Sequence, residues 1–206
     1  MYIYLVRHGE TEQSAEEMFR GKKDIPLNKT GKKQAEKIGA YFADKDIIRI
    51  VSSPLIRARH TADEIGKTTE LPVEGLEGLS DMNLGIWEGL TLREVQRRYP
   101  QDFEIWKRTP HKLSLKAGES LADVRKRIAK ILNRTFSKET GNVVLVTHRV
   151  VCKLAVLHFL HIPNSHFWDM RFDAGSITLL EKRDGRVTVS FVNETCHLKE
   201  RAAQKP

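Results

Sequence analysis

YIYLVRHGET, residues 2–11, sets five apolar residues directly before a polar Arg-His-Gly-Glu-Thr run. The apolar part, YIYLV, is rich in β-branched and aromatic side chains and reads as a buried strand. The same arrangement recurs twice. IIRIV (residues 47–51) runs into Ser52 and Ser53, and VVLV (residues 143–146) runs into Thr147 and His148. A strand with no polar side is one covered on both faces, as in a parallel sheet between helices.

The stretches between these strands carry helical spacing. One helix is expected from Thr30, which can cap it, with Ala35, Ile38 and Phe42 on its apolar face. Ser52-Ser53-Pro54 is expected to open a second, with Pro54 at its first position and Arg59 and Asp63 forming an i,i+4 surface pair. Residues 71–88 are turn-rich and should hold at most a short strand. A helix over about 91–99 should stop before Pro100, and 101–118 reads as irregular. Ser120, with Asp123 three residues on, resembles a capping box. The helix it opens places Leu121, Val124, Ile128, Leu132 and Phe136 on one face. A further apolar helix, VVCKLAVLHFL, follows Arg149. The chain closes on two alternating runs split by Asp184-Gly185, a hairpin signal. Strands alternating with helices predict an α/β fold: a three-layer α/β/α sandwich with a mostly parallel central sheet and a terminal hairpin. The organisation expected is a single domain over 1–206 with a cap-like insertion around 89–118.

At 206 residues, with 40% hydrophobic and 30% charged, the chain has enough apolar content to bury a core and too much for a disordered tail. No apolar run approaches the roughly 20 residues that span a bilayer. MYIYLVRHGE lacks the basic start and small-residue cleavage site of a signal peptide. Two cysteines, Cys152 and Cys196, read as free thiols, which points to the cytoplasm. The net charge of +8 raises the question of nucleic acid. The basic residues alternate with acids, however, so a solvated mixed surface that attracts anionic substrates is the better reading, with no nucleic-acid or membrane partner.

Ligands of open α/β sheets bind beyond the carboxyl ends of the strands. Three strand ends therefore converge: Arg7 and His8, then Ser52 and Ser53 with Arg57 a helical turn further, then Thr147 and His148. Singly, each reads as an ordinary structural residue: a hydrogen-bonded histidine or a salt-bridged arginine. Together, two histidines and two arginines suggest a phosphoryl group. Guanidinium forks match phosphate oxygens, and a neutral imidazole can attack phosphorus.

LVRHGET (residues 5–11) resembles the signature of the histidine phosphatase superfamily, the phosphoglycerate-mutase-like group. FRGKKDIPLNKTGKKQA, SSPLIRARHTA (52–62), LSDMNLGIWEG (79–89), AGES (117–120) and VLVTH (144–148) resemble its further segments in order. The resemblance implies His8 as the nucleophile that becomes phosphohistidine, with Arg7, Arg57 and His148 holding the phosphoryl oxygens. It implies an acid that protonates the leaving oxygen and then activates water, and no metal or other cofactor. The surrounding arginines would keep His8 neutral. The family usually has glutamate four residues before the first glycine of G-x-W-E-G. Here that residue is Asp81, one methylene shorter, with Glu88 and Glu77 as rival carboxylates. Ser14 stands where asparagine is common and could donate one bond to phosphate. Arg149 stands where glycine is common, either projecting charge towards substrate or facing solvent. NETCHL (193–198) resembles a tail whose histidine approaches the pocket, which makes His197 a candidate substrate contact. Trp87, Trp106 and Trp168 read as packing residues rather than substrate platforms.

The activity implied is metal-independent hydrolysis of small phosphorylated metabolites. The alternatives are a cofactor-dependent phosphoglycerate mutase and a non-catalytic phospho-ligand binder. The short span between Gly89 and Gly118 favours hydrolysis over the mutase, and only the shortened acid favours the binder. Arg149 and His197 lean the substrate towards phosphoserine or a phosphoglycerate-like acid. A homodimer through the sheet edge or terminal hairpin is left open.

Overall fold

A computed structural model of the chain describes residues 1–12, 18–138, 140–184 and 186–199, leaving aside the side chains of Phe136 and Lys138. Six strands form one sheet in the order β3-β2-β4-β1-β5-β6. They are β1 (Tyr2–Arg7), β2 (Ile47–Ser52), β3 (Val73–Gly75), β4 (Asn142–Thr147), β5 (Ile177–Arg183) and β6 (Arg186–Glu194). The first four in that spatial order run parallel, and β5 and β6 add an antiparallel hairpin beside β1. The six α-helices among the described residues are α1 (Lys29–Tyr41), α2 (Ile56–Thr69), α3 (Leu92–Arg98), α4 (Pro100–Arg108), α5 (Leu121–Lys138) and α6 (Arg149–Phe159).

Alternation along the central strands sorts the core into two layers. Tyr4, Val6, Val144 and Val146 pack with Ile38, Ala58, Ala62 and Ile65, which puts α1 and α2 on one face. Ile3, Leu5, Val143 and Leu145 pack with Leu121, Val124, Ile128, Leu132, Val151 and Leu154, which puts α5 and α6 on the other. Trp87, Val95, Phe103 and Trp106 extend this second layer over the carboxyl ends of the strands. The α/β/α sandwich and the mostly parallel sheet are therefore as the sequence predicts. Among the described residues no helix is long and apolar enough to cross a membrane. Cys152 is buried, Cys196 is exposed, and both are free thiols.

Three local expectations need correction. Asn28, not Thr30, caps α1, its Oδ1 accepting from Gly31 N at 2.7 Å. Pro54 precedes α2, which begins at Ile56. The stretch 101–118 is not irregular throughout, because Pro100 ends the turn after α3 and also occupies the first position of α4. A proline's missing N–H is harmless there, so one residue both stops one helix and starts the next. Thr91 and Glu94 form a full capping box for α3. Asp123 Oδ2 and Ser120 Oγ bond reciprocally at the start of α5.

Candidate active site

β1 and β4 are adjacent and in register, with Arg7 opposite Thr147. The residues that follow, His8 and His148, therefore emerge side by side. His8 N donates to Thr147 O at 3.0 Å, and the two imidazole centres are 5.1 Å apart. On the far side of β4, Ser53 N donates to Val146 O at 2.9 Å, which brings Ser53 Oγ to 2.8 Å from His148 Nε2. Both histidines are buried.

The protonation of His8 follows from its partner. Nδ1 lies 2.6 Å from Gly9 O, and a carbonyl can only accept, so Nδ1 carries the proton and Nε2 keeps its lone pair. Burial, then the charges of His148, Arg57, Arg7 and Arg20, hold its pKa well below the usual 6.5. The environment favours the neutral ring, with its Nε2 unprotonated. Gly9 N donates to Thr61 Oγ1 at 3.2 Å, and that hydroxyl donates to Arg57 O at 2.9 Å, so the loop after β1 is fastened to α2. Gly31 is required where α1 meets the same loop, because a Cβ there would lie 2.0 Å from Glu10 O.

Arg57 is fully buried at the start of α2. Its Nη1 donates to Lys23 O at 2.7 Å, and its Nη2 to Gly21 O at 2.9 Å and Asp81 Oδ2 at 3.3 Å. Arg7 Nη1 donates to Phe172 O at 2.5 Å. Burial, followed by the nearby Arg149 and Arg20, lowers Arg7 to about 10. Among the described residues, the Nε–H groups of Arg7 and Arg57 and Nδ1 of His148 are buried with no hydrogen-bond partner. Each unsatisfied buried group of this kind costs roughly 1–3 kcal/mol, which a ligand oxyanion would recover. Arg20, itself partnered, lies close enough to Arg7 and Arg57 for their charges to act on one another. The sequence reading did not single it out, although it lies in the FRGKKD segment. It donates to Thr11 Oγ1 at 2.5 Å, and burial lowers it to about 10, with Asp81 opposing.

Among the three candidate carboxylates, only Asp81 lines the inner cavity of about 50 Å³ that also holds Arg7, His8, Arg20 and Arg149. Its Oδ2 is 3.7 Å from His148 Nδ1, and its side chain is 18% exposed. Its loop is braced from behind. Arg127 donates to Gly78 O and Asp81 O, and pairs with Glu119 at 2.8 Å. Gly85 takes φ +51°, and a Cβ there would meet Lys116 O at 2.2 Å. Glu88 is spent on the loop itself, its Oε1 accepting from Leu84 N and Lys22 N. Glu77 pairs with Lys22 on the surface.

Arg149, the first residue of α6, is exposed and lines both the inner cavity and a wider outer one of about 680 Å³. Phe103, Trp106 and Trp168 also line the outer cavity, so two of the three tryptophans expected only to pack reach it. His197 is not brought to either cavity. It bonds Gly175 O at 3.0 Å and stacks 5.3 Å from Tyr41, with the Gly175 backbone between it and His8. Burial lowers its pKa. Ser14 lies outside the described residues.

The model of the histidine phosphatase superfamily (branch 1) matches residues 3–195. Phosphoserine phosphatase 1 of Hydrogenobacter thermophilus is 33% identical over 199 residues, which span 96% of this chain and 94% of that protein. The adenosylcobalamin/alpha-ribazole phosphatase of Salmonella typhimurium is 27% identical over 94% of this chain and 96% of its own length. Among solved structures, Bacillus stearothermophilus YhfR superposes with a TM-score of 0.91 at 29% identity, covering 96% of this chain and 99% of its own. Read with the strand-end geometry, these matches show that the chain belongs to branch 1 of the histidine phosphatase superfamily.

Proposed function

We propose that the protein hydrolyses phosphate monoesters of small metabolites through a phosphorylated His8. The observation that carries this is the Nδ1–H bond from His8 to Gly9 O. It leaves the Nε2 lone pair on a ring that lines a cavity shared with Arg7, Arg20 and Asp81. In the first step Nε2 attacks phosphorus and the ester P–O bond breaks. The leaving oxygen takes a proton from the Asp81 carboxyl. In the second step water attacks phosphorus, its proton passes to the Asp81 carboxylate, and the N–P bond breaks to release phosphate. Arg7, Arg57, Arg20 and His148 hold the three phosphoryl oxygens and meet the charge that builds on them. The Nε–H groups of Arg7 and Arg57, which have no hydrogen-bond partner among the described residues, support that assignment.

Residues 89–118 act in this reading as the cap. Phe103, Trp106 and Lys107 of α4, with Leu92 of α3, support it by lining the outer cavity. Asp81 counts against the non-catalytic binder, because the shortened acid lines the same inner cavity as His8. The test is hydrolysis of p-nitrophenyl phosphate in the presence of a chelator. Sustained turnover is expected. Its absence, or phosphoglycerate interconversion dependent on a bisphosphate in place of hydrolysis, would contradict the proposal.

A further inference from the structure

The outer cavity says more about the alcohol half of the substrate than the phosphoryl pocket can. Its volume of about 680 Å³ is in the range that encloses a small organic molecule. Its walls are mainly aromatic and apolar, with Phe19, Phe103, Trp106, Trp168 and Leu92. The charged groups among its described lining residues are all cationic: Arg7, Arg20, Lys107 and Arg149. Of the carboxylates next to lining residues in sequence, Glu104 is engaged by Lys107 at 3.1 Å and Arg108 at 3.2 Å, and Asp169 faces His166 at 2.7 Å.

A fifth cation stands behind the wall. Lys153, one turn along α6 from Arg149, is buried and donates to Phe167 O at 2.9 Å. Its Nζ lies 4.4 Å from the centre of the Trp168 ring and 4.6 Å from that of Phe167. Trp168 is thus already engaged by an ammonium group. A second cation at that ring would meet the first one's charge as well as the ring's quadrupole. A substrate ammonium entering here would lose its water among the charges of Arg7, Arg20, Lys107 and Arg149, while the Asp81 carboxylate of the adjoining inner cavity already faces Arg57. A flat hydrocarbon group would instead trade water for aromatic surface.

We infer that the preferred substrates are phosphate monoesters whose alcohol carries a flat apolar group, neutral or anionic but not cationic. This deepens the phosphatase reading and rests on it. It departs from the sequence-based leaning, since neither phosphoserine nor a phosphoglycerate-like acid carries a flat apolar group.

The experiment compares kcat/KM for three esters of primary alcohols: 2-phenylethyl phosphate, ethyl phosphate and O-phosphoethanolamine. Their leaving oxygens are similar, so differences report binding of the alcohol part. The phenylethyl ester is expected to exceed ethyl phosphate by about 30-fold, as burial of one ring implies, and O-phosphoethanolamine to fall below ethyl phosphate. Trp168→Ala should shrink the phenylethyl-to-ethyl ratio several-fold. Trp168 is 38% exposed, so the variant should still fold, and a ratio within one preparation does not depend on the fraction folded. Turnover with equal rates on all three esters, or with O-phosphoethanolamine preferred, would overturn the inference and leave the phosphatase reading standing. No turnover on these or on p-nitrophenyl phosphate would overturn the phosphatase reading itself, and the inference with it.

Discussion

His8 and His148 face each other with ring centres 5.1 Å apart and planes inclined at 60°, and their partners differ. His8 gives its Nδ1 proton to the Gly9 carbonyl, whereas His148 meets the Ser53 hydroxyl through Nε2 and turns Nδ1 towards Asp81. Burial is the first cause holding both well below 6.5, and surrounding arginines add to it. An imidazolium is thereby disfavoured at either ring, and the Nδ1–H bond of His8 leaves its Nε2 lone pair free.

That neutrality has a consequence for pH. Both histidines titrate lower in the folded protein than in the unfolded chain, where the value is about 6.5. Below that pH the unfolded chain binds more protons, so stability falls as pH falls. Each histidine contributes up to about 1.4 kcal/mol per pH unit. Above about pH 7.5 the two contribute almost no slope. Urea unfolding at pH 7.5, 6.5 and 5.5 should show a loss confined to the acid side, shallower in His8→Gln. Nitrogen NMR of labelled histidine should find His8 as the neutral Nδ1–H form at pH 6.5. An imidazolium signal for His8 at that pH would contradict the account.

Asp81 and Glu88 separate by chemistry. On the proposed mechanism Asp81→Asn removes the proton donor, and turnover of alkyl phosphates should drop about 10²–10⁴-fold. p-Nitrophenyl phosphate should suffer less, because its leaving group needs no proton. Glu88→Gln keeps the Oε1 acceptor that ties Leu84 N and Lys22 N, so its rates should stay near those of the parent. Steady-state kinetics on both ester classes decide this. A larger loss in Glu88→Gln than in Asp81→Asn would reassign the acid.

Arg20 should prove as important as the arginines that the signature motifs flag. Arg20→Ala is expected to lower kcat/KM about 10²-fold, the scale for loss of one transition-state donor. Arg20→Lys should recover only part, because an ammonium lacks the planar fork. Unchanged kinetics in Arg20→Ala would remove it from the phosphoryl pocket.

The sheet and the convergence of its strand ends were legible because they depend on patterns a single sequence carries. YIYLV and VVLV have no polar side, and each runs directly into a histidine, so neighbouring parallel strands bring His8 and His148 together. Arg20 was not legible. It reaches the pocket from a segment without regular structure, and only the fold brings it beside Thr11 and Arg57. Helix α4 was missed because Pro100 reads equally as a stop and a start. His197, a candidate raised by the tail motif, packs against Tyr41 and Gly175 and is not among the described residues lining either cavity. The aromatic outer wall follows no spacing rule, since Phe19, Phe103 and Trp168 are far apart in sequence and meet only in space.

The central claim is that phosphorus becomes bonded to His8. Rapid acid-free quenching of the enzyme during turnover of a ³²P-labelled monoester, followed by peptide mapping, tests it directly. The account predicts label on the peptide containing His8, stable in base, lost in acid, and absent in His8→Ala. Active turnover with no label on that peptide, or with base-labile label on a serine or aspartate, would contradict it.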